Sequence, residues 1–162
     1  MRIDLSDVFQ QDGFEKSFEA AVDLSELEAC GGFPLKLPVM LIGRARNQNM
    51  VVGLQYRVHV SFETACDRCL DEMRQEFDYS FDHILSANDT EDETGEIITV
   101  ADFRLDIEEL AREDVLLELP SKVLCREDCA GLCLKCGQNL NHAQCGCDTR
   151  EIDPRWAKLI NN

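Results

Sequence analysis

A chain of 162 residues is long enough for one ordinary core and an appendage, and its 32 acidic against 16 basic side chains leave a formal net charge of −16. Such a surface repels a phosphate backbone over most of its area, which disfavours naked nucleic acid as a partner and favours a basic protein. The opening MRIDLSDVFQ has no basic or apolar segment of a targeting signal, and the longest apolar run, around Leu37 to Ile42, is too short to span a bilayer, so a soluble cytoplasmic protein is expected.

In chain order, Phe14 to Val22 reads as an edge strand and Leu24 to Ala29 as a short helix closed by Gly31-Gly32. Leu35 to Ile42 is a further strand, turning through Asn47-Gln48-Asn49. Residues 51–64, VVGLQYRVHVSFET, alternate apolar and polar side chains, as do residues 73–85, MRQEFDYSFDHIL. Period two marks half-buried strands, and a short connection between them, Cys66-Asp67-Arg68-Cys69, predicts an antiparallel hairpin with these cysteines at its tip.

Residues 86–96, SANDTEDETGE, have the composition of a loop, and after a short run at Ile97 to Val100 the stretch LDIEELAREDVLLELP reads as a helix. Asp106 with Glu109 forms an acidic relative of the capping box, Ile107, Leu110, Ala111 and Val115 recur at helical spacing, and Pro120 ends the element. Beyond it few large apolar residues appear before Ile152, Trp156, Leu159 and Ile160, so this segment needs a staple other than a core. The expected class is α+β: an antiparallel sheet with a packed helix over 1–120, and a small zinc-stapled module over 121–162.

Nine cysteines in a reducing compartment point to metal more than to disulfides. Apart from Cys30, which lies beside Gly31-Gly32 and reads as a small buried side chain, they form four pairs: Cys66/Cys69, Cys125/Cys129, Cys133/Cys136 and Cys145/Cys147. Eight thiolates match two tetrahedral zinc sites, because two residues between ligands let the backbone curl so that both sulfurs reach one ion. The four pairs can be grouped in three ways. The preferred grouping joins Cys133, Cys136, Cys145 and Cys147 in one local site, and leaves Cys66, Cys69, Cys125 and Cys129 to tie the hairpin tip to the chain leaving the helix. One or two structural zinc ions are therefore expected. His142 reads as a solvated loop residue, since the sulfurs already complete both sites.

Catalytic zinc mixes histidine and carboxylate ligands and keeps a position open, whereas this chain has three histidines and no H-E-x-x-H motif. Nor does it contain a phosphate-binding glycine motif or a nucleophile elbow, so no enzyme is expected.

The ordered set Cys66-Asp67-Arg68-Cys69-Leu70, the acidic loop, Leu116-Leu117-Glu118-Leu119-Pro120, Cys125 through Leu140-Asn141, Cys145, Cys147 and Asp153-Pro154-Arg155 resembles the YceD family of large ribosomal RNA subunit accumulation proteins. The resemblance covers roughly residues 50–160. It implies a non-enzymatic role in synthesis, processing or stability of large-subunit (23S) rRNA, with a ribosomal protein or assembly intermediate, and possibly rRNA itself, as partner, and no membrane or small-molecule substrate.

Two surfaces are candidates for that contact. Arg44 and Arg46, with Lys36 and Arg57, can form a small phosphate-binding patch. The acidic stretch from Asp89 to Glu118, including Glu91, Asp92 and Glu93, can instead hold a basic ribosomal protein, and this second surface is preferred for its larger charge. The alternative from another class is a zinc-ribbon nucleic-acid-binding regulator using Lys135, Arg150, Arg155 and Lys158.

Overall fold

Strict alternation of buried and exposed side chains organises the main sheet. In the computed structural model, which describes residues 1–29, 32, 34–35, 38–88 and 97–147, the chain runs β1 (Arg2–Asp4), α1 (Ser6–Gln10), β2 (Glu15–Val22), β3 (Val39–Gln48), β4 (Val51–Ala65), β5 (Glu72–Ser86), β6 (Ile97–Thr99), β7 (Arg104–Asp106) and α2 (Ile107–Glu118). It forms two compact units, one of Met1–Thr64 with Arg74–Ser121, the other of Ala65–Met73 with Lys122–Asn162.

The first unit holds a five-stranded sheet in the order β2-β3-β4-β5-β6 and a two-stranded pair of β1 with β7. β2 and β3 pair antiparallel from Glu15↔Arg46 to Val22↔Val39, and β3 and β4 from Met40↔His59 to Gln48↔Val51. Contacts of Gln55 with Asp82, Tyr56 with Phe81 and His59 with Asp78 run oppositely along β4 and β5, so these strands are antiparallel too. The sheet is nevertheless mixed, which corrects the all-antiparallel expectation: β6 pairs parallel with β5 over Ile84–Ser86. A tight hairpin cannot join a parallel pair; of the residues between the two strands, 89–96 lie outside the described residues.

Two further expectations change locally. Leu24 to Ala29 is a turn rather than a helix: Leu27 N–H donates to the Leu24 carbonyl, while Leu24 and Leu27 are buried. The β3–β4 connection lies two residues beyond Asn47, at Asn49 and Met50, which both take positive φ (52° and 67°) as a two-residue hairpin turn demands. Asn47 itself is buried in β3, where its amide donates to the Val8 carbonyl at 2.9 Å.

The core lies on the inner face of this sheet. Leu41, Leu54, Val58, Val60 and Phe62 are fully buried there, as are Ile107 and Val115 of α2. Each such side chain contributes about 1.5–3 kcal/mol on leaving water. Gly43 allows a close approach in the middle of it, because a Cβ there would fall 2.6 Å from the Phe18 ring and 2.7 Å from Tyr56 Cβ. Asp106 caps the start of α2 as its spacing suggests, its carboxylate accepting from Glu108 N–H at 3.3 Å.

A polar cluster sits within this core. Asp114 of α2 accepts from the Tyr56 hydroxyl, and its Oδ2 lies 2.6 Å from His83 Nε2. Burial, and then the neighbouring Asp114 carboxylate, push the Tyr56 phenol far above its usual range, so it remains a donor. Among the described residues no helix is long and apolar enough to cross a membrane.

Candidate metal centres

The second unit is built around eight cysteine sulfurs in two sets, Cys66, Cys69, Cys125 and Cys129 in one, Cys133, Cys136, Cys145 and Cys147 in the other. Within each set all four Sγ atoms lie within 4.8 Å of one another. All eight are free thiols. Cys66 and Cys129 sulfurs are 3.8 Å apart and those of Cys69 and Cys125 3.7 Å. A disulfide needs about 2.05 Å, whereas four sulfurs placed tetrahedrally at about 2.3 Å from a metal are separated by about 3.8 Å. Both clusters have the ligands and spacing to hold a metal ion.

Two knuckles with one backbone geometry present the C-x2-C pairs. Leu70 N–H donates to the Cys66 carbonyl at 2.9 Å, and Gly137 N–H does the same to Cys133, also at 2.9 Å. Cys66 N–H donates to the Asp71 carbonyl at 2.9 Å, and Cys133 N–H to that of Gln138 at 2.8 Å. The residue after the second cysteine must then turn left-handed: Gly137 has φ 73° and Leu70 has φ 61°. Glycine adopts this conformation freely, while leucine does so at a steric cost.

Amide groups aimed at the sulfurs favour thiolate. Burial pushes the Cys66 thiol up, but N–H donation from Cys125, Arg68 and Cys69 outweighs it and leaves the group at about 6. Cys133 is lowered to about 6 chiefly by the N–H groups of Cys136 and Lys135. At Cys129 burial raises the thiol, and the Asn141 side-chain amide with Gly131 N–H more than reverse this. Other members are driven the opposite way. The Asp71 N–H pulls Cys69 down, yet burial and the neighbouring sulfurs lift it to about 12. The Cys136 sulfur, followed by burial, lifts Cys147 to about 12. Four thiols so close cannot all ionise by themselves, and a cation at the centre removes that conflict.

An asparagine bridge that the cysteine spacing does not announce joins the two sets within this unit. Asn141 Nδ2 donates to Cys129 Sγ at 3.3 Å, while its Oδ1 accepts from Ala130 N–H at 2.9 Å. Asn139 Nδ2 reaches both Asp71 oxygens at 3.0 Å, and its Oδ1 accepts from Asn141 N–H at 2.9 Å. The only sequence signal is the pair of asparagines beside the cluster, a residue type that bonds to nearby backbone. His142 is exposed, with Nε2 3.1 Å from Asp71 Oδ2, and belongs to neither sulfur set.

The other candidates are dispersed. Arg44, Arg46 and Arg57 point to the exposed face of the sheet, where Arg44 donates to Gln55 Oε1 at 2.8 Å and Arg46 lies 3.9 Å from Glu15. A shallow groove of about 460 Å³ beside Arg44 and Arg57 also contains Asp82. On α2, Glu109, Glu113 and Glu118 are exposed, and Lys135 is exposed at the tip of the second knuckle. Cys30, Lys36, Glu91, Asp92, Glu93, Arg150, Ile152, Asp153, Pro154, Arg155, Trp156, Lys158, Leu159 and Ile160 lie outside the described residues.

The chain is similar to several known proteins. An uncharacterised protein of Mycobacterium tuberculosis is 38% identical over 99 residues, covering 59% of this chain and 47% of the relative. Uncharacterised protein YlbN of Bacillus subtilis is 26% identical over 145 residues, 88% of this chain and 84% of that one. The chloroplastic large ribosomal RNA subunit accumulation protein YCED homolog 1 of Arabidopsis thaliana is 40% identical over 57 residues, 35% of this chain and 18% of the plant protein. The chain thus spans about half the length of the mycobacterial relatives it matches. No solved structure matches it. The family model for large ribosomal RNA subunit accumulation protein YceD matches residues 54–161, from near the start of β4 through both cysteine sets, and the chain belongs to the YceD family.

Proposed function

We propose that this protein is a non-enzymatic accessory factor of ribosome assembly, needed for synthesis, processing or stability of large-subunit (23S) rRNA, with structural zinc in both sulfur sites. The observation that carries the non-catalytic part is the ligand set: four sulfurs close a tetrahedral zinc and leave no position for a substrate. Relatives described as large ribosomal RNA subunit accumulation proteins supply the process.

Zinc at these sites would supply folding free energy, about 10–16 kcal/mol in structural sites of this kind. Cys66, Cys69, Cys125 and Cys129 hold one ion and Cys133, Cys136, Cys145 and Cys147 the other. Residues 121–162, with the hairpin tip, form a module that metal folds in place of a large core. The partner is a basic ribosomal protein, held in the cytoplasm by the acidic side of the molecule until rRNA displaces it. Support for this choice comes from the net charge of −16 and from Glu109, Glu113 and Glu118, which stand exposed along α2.

The test is deletion of the gene followed by measurement of the ratio of large- to small-subunit rRNA and of the ribosomal subunit profile. A fall in the large-subunit signal, restored by the wild-type gene, is expected. An unaltered ratio sinks the reading.

A further inference from the structure

Two ligands that belong to different sulfur sets are close neighbours along the chain: Cys129 of the first and Cys133 of the second are separated only by Ala130, Gly131 and Leu132. This linker is fixed against the first knuckle. Leu132 N–H donates to the Arg68 carbonyl, between Cys66 and Cys69, at 3.0 Å. Gly131 passes so near that a Cβ would fall 3.1 Å from the same carbonyl oxygen, and its φ of 73° is one that glycine adopts freely.

The loop that closes the second site, from Cys136 to Cys145, makes the return contact. Its Leu140 N–H donates to the Gly131 carbonyl at 2.9 Å. Two of its asparagines then reach the ligands of the first site: Asn141 Nδ2 donates to the Cys129 sulfur at 3.3 Å, and Asn139 Nδ2 to the Cys69 carbonyl at 3.4 Å. The Asn141 oxygen is held in turn by Ala130 N–H at 2.9 Å and by the Arg126 guanidinium at 2.7 Å, both from the segment that carries Cys125 and Cys129. Residues 137–144, GQNLNHAQ, contain one large apolar side chain, Leu140, so the order of this loop depends on the ligands at its ends. An ion held by Cys133, Cys136, Cys145 and Cys147 fixes those ends and aims Asn141 at Cys129 before the first site fills. Outer partners of this kind typically account for about 10–100-fold in metal affinity.

We propose that the two sulfur sites take up their ions cooperatively, with Asn141 as the positioning residue that carries the coupling from one to the other. An ion in the second site raises the affinity of the first about tenfold or more, and by linkage an ion in the first does the same for the second. The coupling alters how tightly each ion is held and leaves two sites with four ligands each. It narrows the range of free zinc over which this unit passes from empty to filled. This inference rests on the reading above that both sets hold zinc, and adds that they do not act separately.

The test is a titration with zinc against a chromophoric chelator, run on three full-length chains: wild type, Cys66→Ser with Cys69→Ser, and Cys133→Ser with Cys136→Ser. The two variants give the affinity of each site alone, and the wild-type constant for binding both ions should exceed their product about tenfold or more. Asn141→Asp keeps the acceptor for Ala130 and Arg126 and removes the donor to the sulfur. Placed in all three chains, it should bring that ratio close to one. An asparagine with a merely structural role would weaken the single sites and leave the ratio where it was. Should a double-serine chain aggregate, Cys69→Ala and Cys145→Ala, each taking one ligand from a site, complete the same cycle. A wild-type ratio of one, or a ratio that Asn141→Asp does not move, overturns the coupling and leaves the metal reading standing. Zinc bound by one set only, or by neither, defeats the metal reading and the coupling with it.

Discussion

At Leu70 a leucine does the work that glycine does in the matching knuckle. Its φ of 61° costs about 1–2 kcal/mol for a residue with a Cβ, and its side chain, 64% exposed, gains little packing in return. Leu70→Gly should therefore tighten metal retention at the first site by about 1 kcal/mol, or roughly fivefold in a chelator-competition titration. Faster loss of metal would show that the leucine contributes something the backbone argument omits. Asp114 offers a second case, since it is the acceptor for the buried Tyr56 hydroxyl and lies against His83. Replacing it with alanine leaves those groups without their partner and should cost about 1–3 kcal/mol in urea unfolding. The same change in a Tyr56→Phe background should cost less, because one orphaned group is gone. Equal costs in both backgrounds would mean that the hydroxyl bond adds nothing. Neither position was legible as such in the sequence: Asp114 occupies an ordinary acidic helix, and its burial depends on strands that are distant along the chain.

At the scale of elements, the long strands were readable because each buries one face and exposes the other, as the alternating pattern of β3 shows residue by residue. Helix α2 was readable for the corresponding reason, with Ile107, Leu110, Ala111 and Val115 on one side. Short elements were not. β1, β6 and β7 have three residues each, too few for a period to register, and their pairing is made by partners elsewhere in the chain. The stretch from Leu24 to Ala29 carried apolar residues at helical spacing, yet three of its bonds close turns instead. The metal knuckles belong to this scale as well. Cys66→Ser with Cys69→Ser should lower the metal content of protein purified without chelator from two ions per chain to one, because the two sulfur sets share no ligand. One ion in both proteins would confine metal to the C-terminal set.

For the whole molecule, the division into two units sets how it should come apart. Unit one has a core of large aliphatic side chains such as Leu41, Leu54 and Val60, whereas among the described residues unit two buries chiefly its cysteines, with Met73 and Leu124 packed against them. Metal removal by a strong chelator should accordingly release the amide protection of residues 122–147 and leave that of β3 and β4 intact, as hydrogen exchange can report. Simultaneous loss of both would show that the units fold as one cooperative body. Acid should act like the chelator, because thiolate ligands must stay deprotonated: metal affinity falls as pH falls, and the release begins with competition by protons for the sulfurs.

Local pattern was enough to read the half-buried strands, the helix before Pro120, the acidity, and a cysteine spacing that resembles one family. Those features are set by covalent neighbours and by the two periods of regular backbone, so no distant partner is needed to see them. Folding in three dimensions decided which sulfurs stand together, because the chain between Cys69 and Cys125 is long and its spacing imposes no distance. It likewise decided that β6 lies parallel to β5, with Ile97 opposite Ile84 and Thr99 opposite Ser86. Strand pairing is a contact between segments, and the hydrogen-bonding direction that it satisfies or leaves free has no counterpart in the order of side chains.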